Sequence, residues 1–126
     1  MNAPQGIIPT GPATYNADED MVIPADGAGI LVKRTATGVA ICAAGEYPFG
    51  VVFDDVDADE PVAVHGLGLA RFPLVASGAL ATIGTWVIPA AAGKVQSAAA
   101  PIASLHLLTD SVAADGELVY VVSGCC

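Results

Sequence analysis

The stretch at residues 47–75, YPFGVVFDDVDADEPVAVHGLGLARFPLV, leaves little choice of fold. Phe49, Val51 and Phe53 project to one side of a pleated strand, because strand side chains alternate with period two. Residues 54–60 then carry five acids in seven positions. Such a run cannot be packed into a core and must be a solvated connection. Pro61 restarts the chain, and Val62 and Val64 resume the alternation. Gly66 and Gly68 bracket Leu67, where a bulge or sharp bend is expected. Residues 69–75 continue as a third strand.

The rest of the chain repeats this grammar. Short β segments are expected at residues 21–24, 30–34, 39–43, 85–89, 94–97, 105–109 and 117–123, each closed by Gly, Pro or Asp. Gly38 supplies a permissive backbone to the hairpin connection at 35–38. About ten short strands separated by turns predict an all-β fold, a compact sandwich or barrel of short antiparallel strands. One weak echo runs through it. Residues 54–59 and 110–115 share the pattern D-x-V-x-A-D, each between two apolar strands, as though one hairpin were used twice.

At 126 residues the chain fits one domain. It can bury roughly two thirds of the surface its unfolded form exposes. Residues 1–20 contain three prolines and two glycines without periodicity, and read as an extended N-terminal arm ending in Asp18, Glu19 and Asp20. Residues 21–126 read as a single β domain. Ile7, Ile8 and Tyr15 are the candidate anchors of the arm on a partner, since an extended segment can add to a sheet edge. The N-terminus lacks the basic start and apolar run of a signal peptide. Residues 72–93 are uncharged and long enough to cross a bilayer. Pro73, Gly78, Gly84 and Pro89 would break such a helix, so two strands around a loop are expected instead.

Charged residues make up 13% of the chain, about half the usual share, while 54% is hydrophobic. With 24 alanines among the apolar residues, that surplus cannot all be core. It suggests surface hidden against another subunit. The net charge of −9 argues against nucleic acid and against an anionic membrane. Lys33, Arg34, Arg71 and Lys94 are too few and too scattered for either. Cys42, Cys125 and Cys126 do not make the evenly numbered framework of a secreted disulfide scaffold, and reduced thiols are expected. No second cysteine pair is present for zinc.

Motifs for chemistry are absent. The spacing Asp55-x-Asp57-x-Asp59 resembles half of a calcium loop. It has Glu60 where that loop needs Gly, and Gly66 where it needs Glu, so solvated turn acids are expected and no metal. His65 and His106 are lone histidines in strands, without partners nearby in sequence. Ser77, Ser104 and Ser123 lie in no nucleophile motif. Gly66-x-Gly68 lacks the third glycine and following helix of a phosphate loop. Trp86 beside Pro89 suits either a core or an interface. No catalytic residue and no cofactor is expected; the carboxylates sit in turns and the strands are bare.

From Met21 to Gly124 the order of signals resembles the head decoration, or capsid cement, proteins of tailed phages. The resembling features are the early hairpin, PFGVVFDDVDADEPVAV and the run Val64-His65-Gly66-Leu67-Gly68-Leu69-Ala70. Ala91-Ala92-Gly93-Lys94-Val95 and the closing ADGELVYVVSG complete them. Two departures stand out. Asp59-Glu60-Pro61 occupies a place where the family often has a glycine turn, and the Cys125-Cys126 tail is unusual. The resemblance implies a non-enzymatic protein made in the host cytoplasm and added to the outer capsid surface of the virion. It implies homotrimers at three-fold or quasi-three-fold positions, bound to the major capsid protein and stabilising the expanded shell. Ile7, Ile8, Tyr15 and Trp86 are then the candidate shell or trimer contacts. The other reading is a small β binding module for carbohydrate or a host surface, for which seven aromatic residues are a thin supply.

Overall fold

A computed structural model describes residues 13–66, 71–80, 86–98, 105–107 and 114–123. Over these the fold is all-β. The strands are β1 (Ala13–Asn16), β2 (Ile30–Arg34), β3 (Val39–Ile41), β4 (Gly50–Val52), β5 (Pro61–Gly66), β6 (Arg71–Val75), β7 (Val87–Pro89), β8 (Val95–Ser97), β9 (Leu105–Leu107) and β10 (Leu118–Ser123). A single 3-10 turn, Ala91–Gly93, joins β7 to β8.

Five strands in the order β1-β5-β4-β2-β3 make a curled, antiparallel half-barrel. Its two edges approach each other just beyond β1. There Ala17 bridges Val39 in parallel, and the Asp18 N–H donates to the Val39 carbonyl at 2.9 Å. Gly38 makes this seam sterically feasible, since a Cβ on it would lie 2.0 Å from the Asn16 carbonyl oxygen. The remaining strands form a three-stranded sheet, β6-β10-β9, and the β7-β8 hairpin. Gly29 N–H to Pro73 O (2.8 Å) ties the half-barrel to β6, and Ser77 N–H to Val95 O (2.7 Å) ties the end of β6 to β8.

Two apolar cores follow from strand alternation. Ile30, Val32, Val39, Val52, Val62 and Val64 fill the inside of the half-barrel with Ala17 and Met21. Leu31 and Val51 point the other way and pack with Phe72, Leu74, Val87, Val95, Val119 and Val121. Thus the first three residues of β2 and all of β4 are buried on both faces, which is why ILV and GVV read as short apolar runs. β5 faces a core on one side only, and its alternation of buried with more exposed residues shows it. Each fully buried Val, Leu or Ile contributes about 1.5–3 kcal/mol.

Apart from residues 21–24, the expected strands are present within the described residues, and some expectations change. Residues 21–24 are not a strand; Met21 makes a single bridge to Val56. Residues 13–16, read as part of the arm, are a strand of the half-barrel paired with β5. Phe49 does not share the side of Val51 and Phe53, because the regular strand starts only at Gly50. The uncharged stretch 72–93 holds most of β6 and all of β7, and among the described residues no helix is long and apolar enough to cross a membrane. The two D-x-V-x-A-D connections both join antiparallel neighbours, β4 to β5 and β9 to β10. The expected bend at Leu67 and Gly68 lies outside the described residues.

Candidate interaction surfaces

The carboxylates are more engaged than solvated turn acids need be. Asp18 accepts from Thr35 Oγ1, from Thr37 Oγ1 at 2.9 Å and from Asn16 Nδ2 at 3.2 Å. The Thr35 hydroxyl, then Thr37, hold its carboxyl below the ordinary value. Glu19 accepts from Ile41 N–H (3.0 Å), Asp20 from Ala58 N–H (2.8 Å) and Asp55 from Ile23 N–H (2.8 Å). At the other end of the chain Asp115 accepts from Gly78 N–H (2.7 Å) and Glu117 from Ala114 N–H (2.6 Å). These acids satisfy exposed loop and edge donors that no strand reaches. Glu19 in particular covers a donor of edge strand β3, which blunts that edge against stray pairing.

Asp59 adopts φ 67°. That is the left-handed region, which Asp tolerates better than most residues other than Gly and Asn. Among the described residues no group of three or more His, Cys, Asp or Glu could hold a metal ion.

Lys33 pairs with Glu46 through contacts of 2.9 and 2.8 Å, and Glu46 Oε1 also accepts from Ala43 N–H at 2.7 Å. The pair raises the Lys33 ammonium and lowers the Glu46 carboxyl. Buried beside it, the Cys42 thiol is pushed up to about 12, by burial first and by the Glu46 charge second. Such a thiol is inert at neutral pH. Cys125 and Cys126 lie outside the described residues.

Two aromatic–arginine clusters lie at the surface. In the first, Tyr15 and Phe49 meet edge to face at 5.3 Å, with the Arg34 guanidinium 4.7 Å from the Tyr15 ring centre and 5.9 Å from that of Phe49. Arg34 also donates to the carbonyls of Thr35 (3.1 Å) and Gly38 (3.0 Å). Tyr15 packs on the inner core, so the cluster caps one end of the half-barrel. Nearby in sequence, Tyr47 is 70% exposed. In the second cluster the Arg71 guanidinium lies 4.7 Å over the Tyr120 ring on the three-stranded sheet.

Of the expected contact residues, Tyr15 is half-buried in the first cluster. Trp86 is half-buried just before β7, where its carbonyl accepts from Ala98 N–H at 3.0 Å. Ile7 and Ile8 lie outside the described residues. His65 is exposed and meets Phe53 edge to face at 5.1 Å. His106 stands in β9 opposite Val122. Sequence reasoning did not name Arg34, Phe49, Arg71 or Tyr120 as contact residues. The available signal was β10 itself, LVYVVS, apolar at nearly every position and hence on both faces.

No protein-family model matches the chain, and no curated protein does. Among solved structures, the chain shares its fold with the head fiber gp8.5 N base of bacteriophage phi29, similar over 89% of this chain and 92% of that chain, with a TM-score of 0.67 and 16% identity.

Proposed function

We propose that the chain is a non-enzymatic decoration protein of a tailed-phage head. It binds the outer surface of the expanded shell as trimers at three-fold or quasi-three-fold positions and stabilises that shell. The observation that carries this reading is the likeness, over nearly the whole of both chains, to a protein described as the base of a head fiber. The order of sequence signals points to the same class independently. The partner is the major capsid protein.

The physical design suits the task. Repeated modest contacts at several points multiply affinity without any deep pocket. A ligand that binds only the intact shell stabilises it by mass action. The acid excess keeps free copies soluble before docking, and the aromatic–arginine clusters supply residue types enriched at protein contacts. A second reading follows from the same neighbour: the domain serves as the head-attached base of a longer fiber. The test is co-sedimentation of the purified chain with empty expanded and unexpanded heads of the phage carrying the gene, followed by heat challenge. Saturable binding to expanded heads with a raised disruption temperature is the expected result. Binding to a glycan array with no binding to heads would replace this reading with a carbohydrate-binding one.

A further inference from the structure

The outward face of β6 and β10 has a composition that a solvent-facing sheet does not normally keep. Antiparallel sheets exposed on one side alternate apolar inside with polar outside. In β10 the inward residues Val119 and Val121 are fully buried in the core shared with Phe72 and Leu74. The residues between them are also apolar: Leu118, 40% exposed, Tyr120, 38% exposed, and Val122, half-buried. Opposite Tyr120 and Val122 on β6 stand half-buried Pro73 and exposed Arg71; Val75, opposite Leu118, is buried.

The face also has electrical polarity. Arg71 lies at the Val122 end, and no acid among the described residues comes within ion-pair distance of it. Its guanidinium stacks on the Tyr120 ring instead. Asp115 and Glu117 lie at the Leu118 end, in the turn that leads into β10. Each uses one carboxylate oxygen on a backbone N–H, which leaves lone pairs for a second partner. The two ends are about 13 Å apart along the strand. The result is an apolar, aromatic middle with a cation at one end and two carboxylates at the other.

We propose that this face docks a second copy of the same chain, Arg71 of one copy meeting Asp115 and Glu117 of the next across the Leu118–Tyr120–Val122 stripe. Copies with net charge −9 repel one another, and the described positions of this stripe carry no acid. It is therefore where two such surfaces can approach at least cost, and the terminal charges fix the direction of approach. With the same stripe on both copies and its ends reversed, both charge pairs form at once and the contact closes on a two-fold axis. The inference rests on the proposed head-decoration role only for its purpose, copies standing together on a shell. Its chemistry is independent of that role.

The test uses the full chain in sedimentation-equilibrium experiments. The unaltered protein is expected to self-associate reversibly. R71E is expected to weaken association about tenfold or more, and Tyr120→Ser to do likewise. The double variant R71E/E117R restores an opposite-charge pair at every contact and is expected to recover most of the loss. Circular dichroism and melting confirm that each variant is folded. If Glu117→Arg disturbs its turn, R71E/D115R makes the same comparison. A chain that stays monomeric at high concentration overturns the inference, as does an R71E variant that associates like the parent, or loss that neither swap recovers. Head binding measured on the same samples separates the two claims. Binding without self-association removes the docking face alone, whereas swap-dependent self-association without head binding removes the decoration role alone.

Discussion

Three glycines separate backbone strain from steric contact, and so test how the half-barrel is assembled. Gly45 has φ +77° with nothing within 4 Å of an added Cβ. Gly45→Ala therefore costs only the left-handed penalty, about 1–2 kcal/mol. Lower entropy of the unfolded chain offsets roughly 0.4–1 kcal/mol of that. Gly38 has an ordinary φ, but its added Cβ would sit 2.0 Å from the Asn16 carbonyl oxygen and 2.8 Å from the carbonyl carbon. Since the obstacle is backbone at the seam between β1 and the β2-β3 hairpin, relief means separating the two edges. Overpacking of this kind costs about 1–3 kcal/mol, and the missing side-chain escape puts Gly38→Ala in the upper part of that range. Gly93 combines both effects: φ +73°, with Ile30 Cγ2 at 2.4 Å and Leu31 backbone atoms at 3.0 and 3.1 Å. Gly93→Ala should cost about 2–5 kcal/mol, a large part of a typical total of about 5–15 kcal/mol. Urea unfolding followed by Trp86 fluorescence reads these as falls in midpoint at constant slope. The expected order of loss is Gly45, then Gly38, then Gly93. A Gly38→Ala variant no worse than Gly45→Ala would mean that the seam is open in solution. If Gly93→Ala merely equals Gly45→Ala, the β7-β8 turn is not seated on β2.

Further expectations concern charge, thiol chemistry, backbone and chain length. The folded-state pKa values of Asp18 and Glu46 lie below their ordinary values of 3.8 and 4.5. Their contribution is therefore complete above those values and is lost as pH falls through the lower folded ones. Unfolding midpoints measured from pH 6 downward should show a shallower acid loss in Asp18→Asn and Glu46→Gln than in the parent; identical slopes would refute the assignment. In a variant with Cys125 and Cys126 changed to Ser, Cys42 should not react with a thiol reagent at pH 8 until urea unfolds the chain, and prompt reaction would contradict its burial. Ala92 has φ 60°, so Ala92→Gly should be neutral or stabilise by up to about 1 kcal/mol, while Ala92→Val should lower the melting temperature. Deleting residues 1–12 should leave the fold intact and weaken head binding. Deleting 1–20 should also lower stability measurably, because it removes β1, the Ala17 bridge and the Asp18, Glu19 and Asp20 caps; equal stability of the two truncations would refute that.

What the sequence made legible was whatever depends on period and punctuation. Val62 and Val64 alternate with more exposed neighbours in a strand buried on one side, and the structure shows that pattern in β5. The acids of 54–60 had to be a connection, and they are one between paired strands. Position in a strand of three residues is another matter. Phe49 was grouped with Val51 by parity, but parity holds only while the backbone stays pleated, and β4 starts one residue later. The role of 13–20 was illegible for a related reason. Prolines and acids suggested a free arm, whereas two of the acids are bonded to N–H groups 22 and 38 positions away, Glu19 to Ile41 and Asp20 to Ala58. A carboxylate that caps a distant loop looks in sequence like one that faces water, since the donor it serves has no side-chain identity.

The same reasoning explains why the contact surfaces were only half visible. An interface built from Arg stacked on Tyr needs no motif, because the pair forms across strands rather than along one. Arg71 and Tyr120 are 49 positions apart in sequence and meet only because β6 pairs with β10 antiparallel. Yet β10 carried a hint of its own. A strand that is apolar on both faces must be covered on both, and among the described residues the outer face is covered only in part, with Val75 buried but Leu118 and Tyr120 exposed. In a chain with so few charges, the second face is better explained by association than by chance. Tyr120→Ser should then leave the monomer's unfolding midpoint nearly unchanged, since the ring faces outward, while removing self-association. Loss of stability in place of loss of association would mean that the stripe serves the fold and not a neighbour.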